Sequence, residues 1–145
     1  RGDTFGLLPA RLMFSEDKGQ TFRMLAATQR AMFGFALSPD GSELAYGGPN
    51  YGLFVVPSDG SGEFIKRSTL GVKCLRWTEA DELYACGSEP LDAFSVGVSR
   101  DHGVTFEPLY RIVDTCPASC AEGTNFAQTC ESAWSATRPF ISASA

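Results

Sequence analysis

Histidine is almost absent from this chain of 145 residues, and His102 is the only one. A serine or cysteine nucleophile would have to find its base there, in a short polar turn whose equivalent in the chain's other copy is a lysine. A zinc site built on the tail cysteines would lack the histidine that commonly completes such sets. Basic residues are also in the minority. Twelve Lys and Arg stand against seventeen Asp and Glu, for a net charge of −5, which argues against a sequence-independent grip on nucleic acid phosphates. No apolar run approaches the roughly 20 residues of a membrane-spanning helix, so membrane insertion is not expected. The sequence opens on Arg1 without an initiator methionine or a signal peptide, as expected of a segment of a larger protein. Glycine-rich GGPNYG, residues 47–52, lacks the lysine and following helix of a phosphate loop and reads as a turn between strands. No cofactor, metal or catalytic residue is assigned.

What the chain does contain is a repeated turn. Residues 15–22, SEDKGQTF, and residues 99–106, SRDHGVTF, share the pattern Ser-x-Asp-x-Gly-x-Thr-Phe and begin 84 residues apart. Halfway between them, residues 57–64 read PSDGSGEF and keep Asp59 and Phe64 in register with the two full copies. Between the turns, FALSPDGSELAYGG at 35–48 and CLRWTEADELYACG at 74–87 each show two short apolar runs around a turn signal. A third run follows each pair (GLFVV, FSVGV), then the acidic turn, then a fourth run (EFIKR, TFEPLYRI). Four strands per unit at a spacing of about 40–50 residues predict an all-β fold of propeller-blade type.

The turn residues have mechanical roles in this reading. Asp17 and Asp101 accept hydrogen bonds from backbone N–H groups of their own turns, as Asx residues do. Gly19 and Gly103 permit a positive φ. Thr21 and Thr105 start the outgoing strand after turns opened by Ser15 and Ser99, and Phe22 and Phe106 are placed to pack between adjoining sheets. A reaction centre needs one acidic group, not one per unit, so the repetition marks these aspartates as structural.

The two full copies resemble the Asp-box, or BNR repeat, found in sialidases, sortilin-type receptors, some polysaccharide hydrolases and photosystem assembly factors. The resemblance implies a partial β-propeller: about two and a half four-stranded antiparallel blades over residues 1–114, then a cysteine-containing tail at 115–145. Closed propellers have four to eight blades. The expected partners are therefore the remaining blades of the same propeller, from the same or another chain. The resemblance implies a non-catalytic binding or scaffold module for a protein or glycan ligand. The alternative is the C-terminal part of a sialidase-like glycoside hydrolase. Such enzymes use an arginine triad and a Tyr–Glu pair. The chain offers Arg11, Arg23, Arg67, Arg76, Arg100 and Arg111, with tyrosines at 46, 51, 84 and 110, but not the arginine-centred motif that precedes the boxes. The loops at 87–94 and 47–52 are the first candidates for a contact surface, because recognition usually resides in loops on rigid supports.

Cys74 and Cys86 flank Ala80 symmetrically, so a hairpin centred there places them opposite each other at bridging distance. A cross-strand disulfide predicts an oxidising compartment: secreted, periplasmic or cell-surface. The equivalent positions one unit earlier, at a spacing of 39, are Phe35 and Gly47. In the tail, Cys116, Cys120 and Cys130 cannot all pair among themselves; Cys120–Cys130 is favoured over Cys116–Cys130. Residues 130–141 are predicted to form a short helix with Trp134 and Phe140 covering a blade edge.

Overall fold

The computed structural model describes residues 9–114 and 127–142, the side chains of 138–142 excepted. Among the described residues ten strands form three antiparallel sheets. The first sheet pairs β1 (Ala10–Phe14) with β2 (Arg23–Thr28). The second runs in chain order through β3 (Gly34–Leu37), β4 (Glu43–Gly48), β5 (Gly52–Pro57) and β6 (Ile65–Ser68). The third repeats that order with β7 (Cys74–Trp77), β8 (Leu83–Cys86), β9 (Val96–Ser99) and β10 (Glu107–Tyr110). The acidic turns join β1 to β2, β5 to β6 and β9 to β10, the last two being the third-to-fourth connection of a complete sheet.

Period-two alternation sends neighbouring side chains to opposite faces of a strand. In the second sheet both faces are apolar, and each packs over part of its area against a neighbouring sheet. Ala36, Ala45, Leu53 and Val55 meet Leu75, Trp77, Leu83 and Ala85 of the third sheet in one core. Leu44, Tyr46 and Val56 meet Leu12, Phe14, Leu25 and Ala26 of the first sheet in the other. Glycine lets the sheets approach closely: a Cβ on Gly34 would lie 2.9 Å from the backbone N of Leu75.

Cys74 and Cys86 are register partners with Cα atoms 4.9 Å apart, joined by a disulfide. Their equivalents in the second sheet differ from the sequence expectation. Six residues separate the pair Leu37 and Leu44 where five separate Trp77 and Leu83, so the first strand is offset by 40 rather than 39. Cys74 therefore corresponds to Gly34, not Phe35, and Gly34 pairs with Gly47. A Cβ on Gly47 would lie 2.6 Å from Val72 Cγ2, so a side chain is disfavoured there.

The connection at 87–94 holds a helical turn, α1 (Glu89–Asp92), where an irregular loop was expected. A 3-10 turn at Ile112–Asp114 follows β10, and helix α2 (Ala127–Ser142) packs against it. Trp134 on α2 is half-buried, and the Phe140 side chain lies outside the described residues. Cys116 and Cys120 also lie outside them; Cys130 is disulfide-bonded.

Candidate functional site

A four-stranded meander puts its first and third connections at one end and its second at the other. The acidic turns and the β3–β4 and β7–β8 turns therefore share one rim.

The two full turns are built alike. Asp17 Oδ1 accepts hydrogen bonds from the Ser15 hydroxyl (2.8 Å), Gln20 N (2.9 Å) and Thr21 N (2.8 Å), and Oδ2 from the Thr21 hydroxyl (2.6 Å). Asp101 Oδ1 accepts from the Ser99 hydroxyl (2.7 Å), Val104 N (3.1 Å) and Thr105 N (2.9 Å), and Oδ2 from the Thr105 hydroxyl (2.5 Å). Ser15 and Ser99 each accept the N–H of the turn glycine at 2.7 Å, and Gly19 and Gly103 both have φ of 89°. The degenerate turn does less. Asp59 accepts from Ser61, through its N–H (2.8 Å) and hydroxyl (2.6 Å), and Pro57 and Glu63 stand where Ser and Thr supply hydroxyls in the full turns.

The aromatics diverge. Phe106 packs against the core and lies 5.8 Å from the Phe94 ring. Phe22 is 61% exposed, contrary to the expected packing between sheets, since Ala10 occupies the place corresponding to Phe94. Phe64 is half-exposed and meets Tyr46 edge-on at 6.2 Å.

A further turn of the same chemistry escaped the sequence reading. Asp40 accepts from the hydroxyls of Ser38 (2.6 Å) and Ser42 (2.7 Å) and from Ser42 N (3.0 Å). The Ser-x-Asp spacing shared by Ser38, Ser15 and Ser99 was the available signal. These bonds hold the carboxylates ionised. Asp17 falls to about 2, chiefly through the Thr21 hydroxyl, and Asp40 to about 2, chiefly through the Ser38 hydroxyl. At Asp101 partial burial pushes upward, but the Thr105, Ser99 and Val104 bonds outweigh it and leave about 2. A carboxylate so placed is a poor proton donor or acceptor near neutrality.

His102, the chain's one histidine, does more than occupy its turn. With φ of 56°, it reaches from the β9–β10 turn to two neighbouring hairpins. Nδ1 lies 2.6 Å from Glu43 Oε2 and Nε2 3.3 Å from Asp81 Oδ2, and its ring meets Trp77 edge-on. Asp81 also accepts the Trp77 indole N–H at 2.9 Å. Arg67 approaches Glu43 at 3.6 Å from β6. The cluster ties the second sheet to the third.

On the outer face of the third sheet, Arg100 bridges Glu82 (2.8 Å) and Glu107 (2.6 Å), and the Tyr84 hydroxyl donates to Glu82 (2.8 Å). Arg111 pairs with Asp114 at 2.7 Å and Arg23 with Glu16 at 3.4 Å. The candidate arginines thus sit on or beside different strands, and Arg23, Arg67, Arg100 and Arg111 are each paired with a carboxylate. Arg76 and Tyr84 are cross-strand partners, as their spacing implied.

At the opposite end, the 87–94 connection is pinned from within. Buried Glu89 accepts from Ser95 (2.6 Å), Ile112 N (2.6 Å) and Val113 N (2.9 Å), and burial's upward push on its carboxyl is outweighed by these bonds. Asp92 accepts from Ser88 N (2.7 Å) and Gly71 N (3.2 Å). Leu91 projects from the turn, 83% exposed. Among the described residues no cluster of His, Cys, Asp and Glu could hold a metal ion, and no helix is long and apolar enough to cross a membrane.

No protein-family model matches the chain, and no curated protein matches it. Among solved structures the chain is similar to the crystal structure of the Myceliophteria thermophila Cps50 (Swd1) β-propeller domain, at 16% identity and a TM-score of 0.43. The similarity covers 67% of this chain and 34% of that one, so the chain spans about a third of that domain's length.

Proposed function

We propose that residues 1–114 are Asp-box β-propeller blades serving as a binding or scaffold module of a secreted, periplasmic or cell-surface protein, with residues 115–145 a disulfide-pinned tail. The observation that carries this reading is the fate of the repeated aspartates: in both full turns both carboxylate oxygens accept hydrogen bonds from the turn itself. Such a carboxylate closes a hairpin and does not act on a substrate. Two further features support the reading: the same four-strand order in both complete sheets and a disulfide compatible with an oxidising compartment. The contact surface is the end carrying residues 47–52 and 87–94, where Leu91 offers an apolar anchor on a turn held rigid by Glu89 and Asp92. The ligand class is protein or glycan, and the boxes take no part in contacting it.

The test compares the intact protein with its Asp101→Asn variant on fluorogenic sialosides and on a glycan array. The reading expects no turnover by either and the same binding profile from both. Turnover that disappears in a fully folded Asp101→Asn protein would overturn it.

A further inference from the structure

The first sheet leaves an apolar groove of about 460 Å³ beside β1. Its walls come from all three sheets, with Leu12 and Phe14 of β1, Phe35 and Leu37 of β3, and Leu75 and Trp77 of β7 among them. Among the described residues β1 pairs only with β2, whereas β5 and β9, the strands that enter the corresponding acidic turns, each pair on both sides. An edge strand beside an exposed apolar face is a template for another strand.

The repeat shows what covers such a place. Forty residues beyond Phe35 and Leu37, at the same positions of the equivalent strand, stand Leu75 and Trp77. Leu75 is half-buried and Trp77 only 9% exposed, because the β3–β4 hairpin lies over them with its small residues, Ala36 and Ala45, turned inward. Phe35 and Leu37 are 62% and 45% exposed. The outward face of the third sheet is built differently. The positions equivalent to Ala36, Ala45, Gly34 and Gly47 carry Arg76, Tyr84, Cys74 and Cys86 in the third sheet, so its outer face has large, polar or bridged side chains where the second sheet has small ones.

The geometry points to an antiparallel β-hairpin as the occupant of this groove, one strand pairing with the free edge of β1 and a face of Ala, Gly or Ser side chains seated on Phe35 and Leu37. The inference rests on the reading of the sheets as repeated blades and names the chemistry of the next one. The β3–β4 hairpin, the pattern for such an occupant, spans 15 residues from Gly34 to Gly48.

The experiment attaches a second copy of residues 34–48 ahead of residue 1 of the full chain through a flexible Gly-Ser linker. Hydrogen exchange is then read at the β1 amides. The outward-edge amides should gain at least tenfold protection, and Phe35→Glu with Leu37→Glu should remove the gain. Tyr84→Glu, on the opposite face, should leave it intact. Unchanged exchange would overturn the proposal. So would protection already present in the parent that vanishes on deleting residues 1–8, or a Phe35-dependent dimer on sizing, since the occupant would then be the chain's own leading segment or a second copy. None of these outcomes bears on whether the Asp turns are catalytic, which the sialoside assay decides separately.

Discussion

Replacing both Cys74 and Cys86 with alanine isolates the contribution of one covalent bond. The bridge closes a loop with a sequence separation of 12, for which the chain-entropy relation gives about 3 kcal/mol at 25 °C. Little else should change. Cys74 is exposed and Cys86 half-buried on the outer face of the third sheet, so the substitution opens no enclosed cavity. The register through Leu75–Ala85 and Trp77–Leu83 remains in place. The expected loss is therefore about 2–3 kcal/mol, read by urea denaturation of the double variant against the parent. Reductant is unsuitable because Cys130 is also disulfide-bonded. The m-value should rise as the unfolded chain loses a constraint. A double variant within about 0.5 kcal/mol of the parent would refute the view that the bridge acts on the unfolded state.

Asp101→Ala should cost about 1–2 kcal/mol by denaturant titration, the scale of losing charge-assisted hydrogen bonds in an exposed turn, with Asp59→Ala costing visibly less. The His102 ring, faced by Glu43, Asp81 and the Trp77 edge, with Arg67 beyond Glu43, has its pKa raised chiefly by the Glu43 hydrogen bond. Its stabilisation should be complete below the unfolded value of about 6.5 and fade as pH rises through the folded value. The stability difference between parent and His102→Gln should therefore shrink on raising pH from 5 to 9, and a difference that grows would contradict this. Leu53→Ala, at a fully buried position between the second and third sheets, should cost about 3 kcal/mol by thermal or chemical denaturation.

The strand order and the disulfide were legible because both follow from local rules. A turn fixes a hairpin's register, and the register places Cys74 opposite Cys86. The spacing of 42 likewise carried the positions of the acidic turns. What escaped depended on contacts between hairpins. His102 sits at a variable position of its turn, and nothing near it in sequence announces Glu43, 59 residues away. Phe22 and Phe106 occupy identical places in identical motifs, yet one is exposed and one packed. The difference lies in Ala10 and Phe94, outside the motif. The offset of 40 rather than 39 at β3 and β7 came from a single extra residue in the β3–β4 connection, which a pattern of apolar runs does not resolve. Glu89 was read only as part of a long loop, because a buried carboxylate satisfied by backbone N–H groups leaves no sequence signature.

The structural role of the repeated aspartates is tested most directly by following the carboxyl carbons of Asp17 and Asp101 through an acid titration by NMR. Both should titrate at about 2, because the hydroxyl and backbone N–H bonds favour the ionised form. The stability they confer should be present above the ordinary carboxylate value of about 4 and be lost as pH falls through 2. A midpoint at or above 4 for either residue would mean that the turn does not hold its carboxylate, contradicting the assignment of these aspartates to folding rather than chemistry.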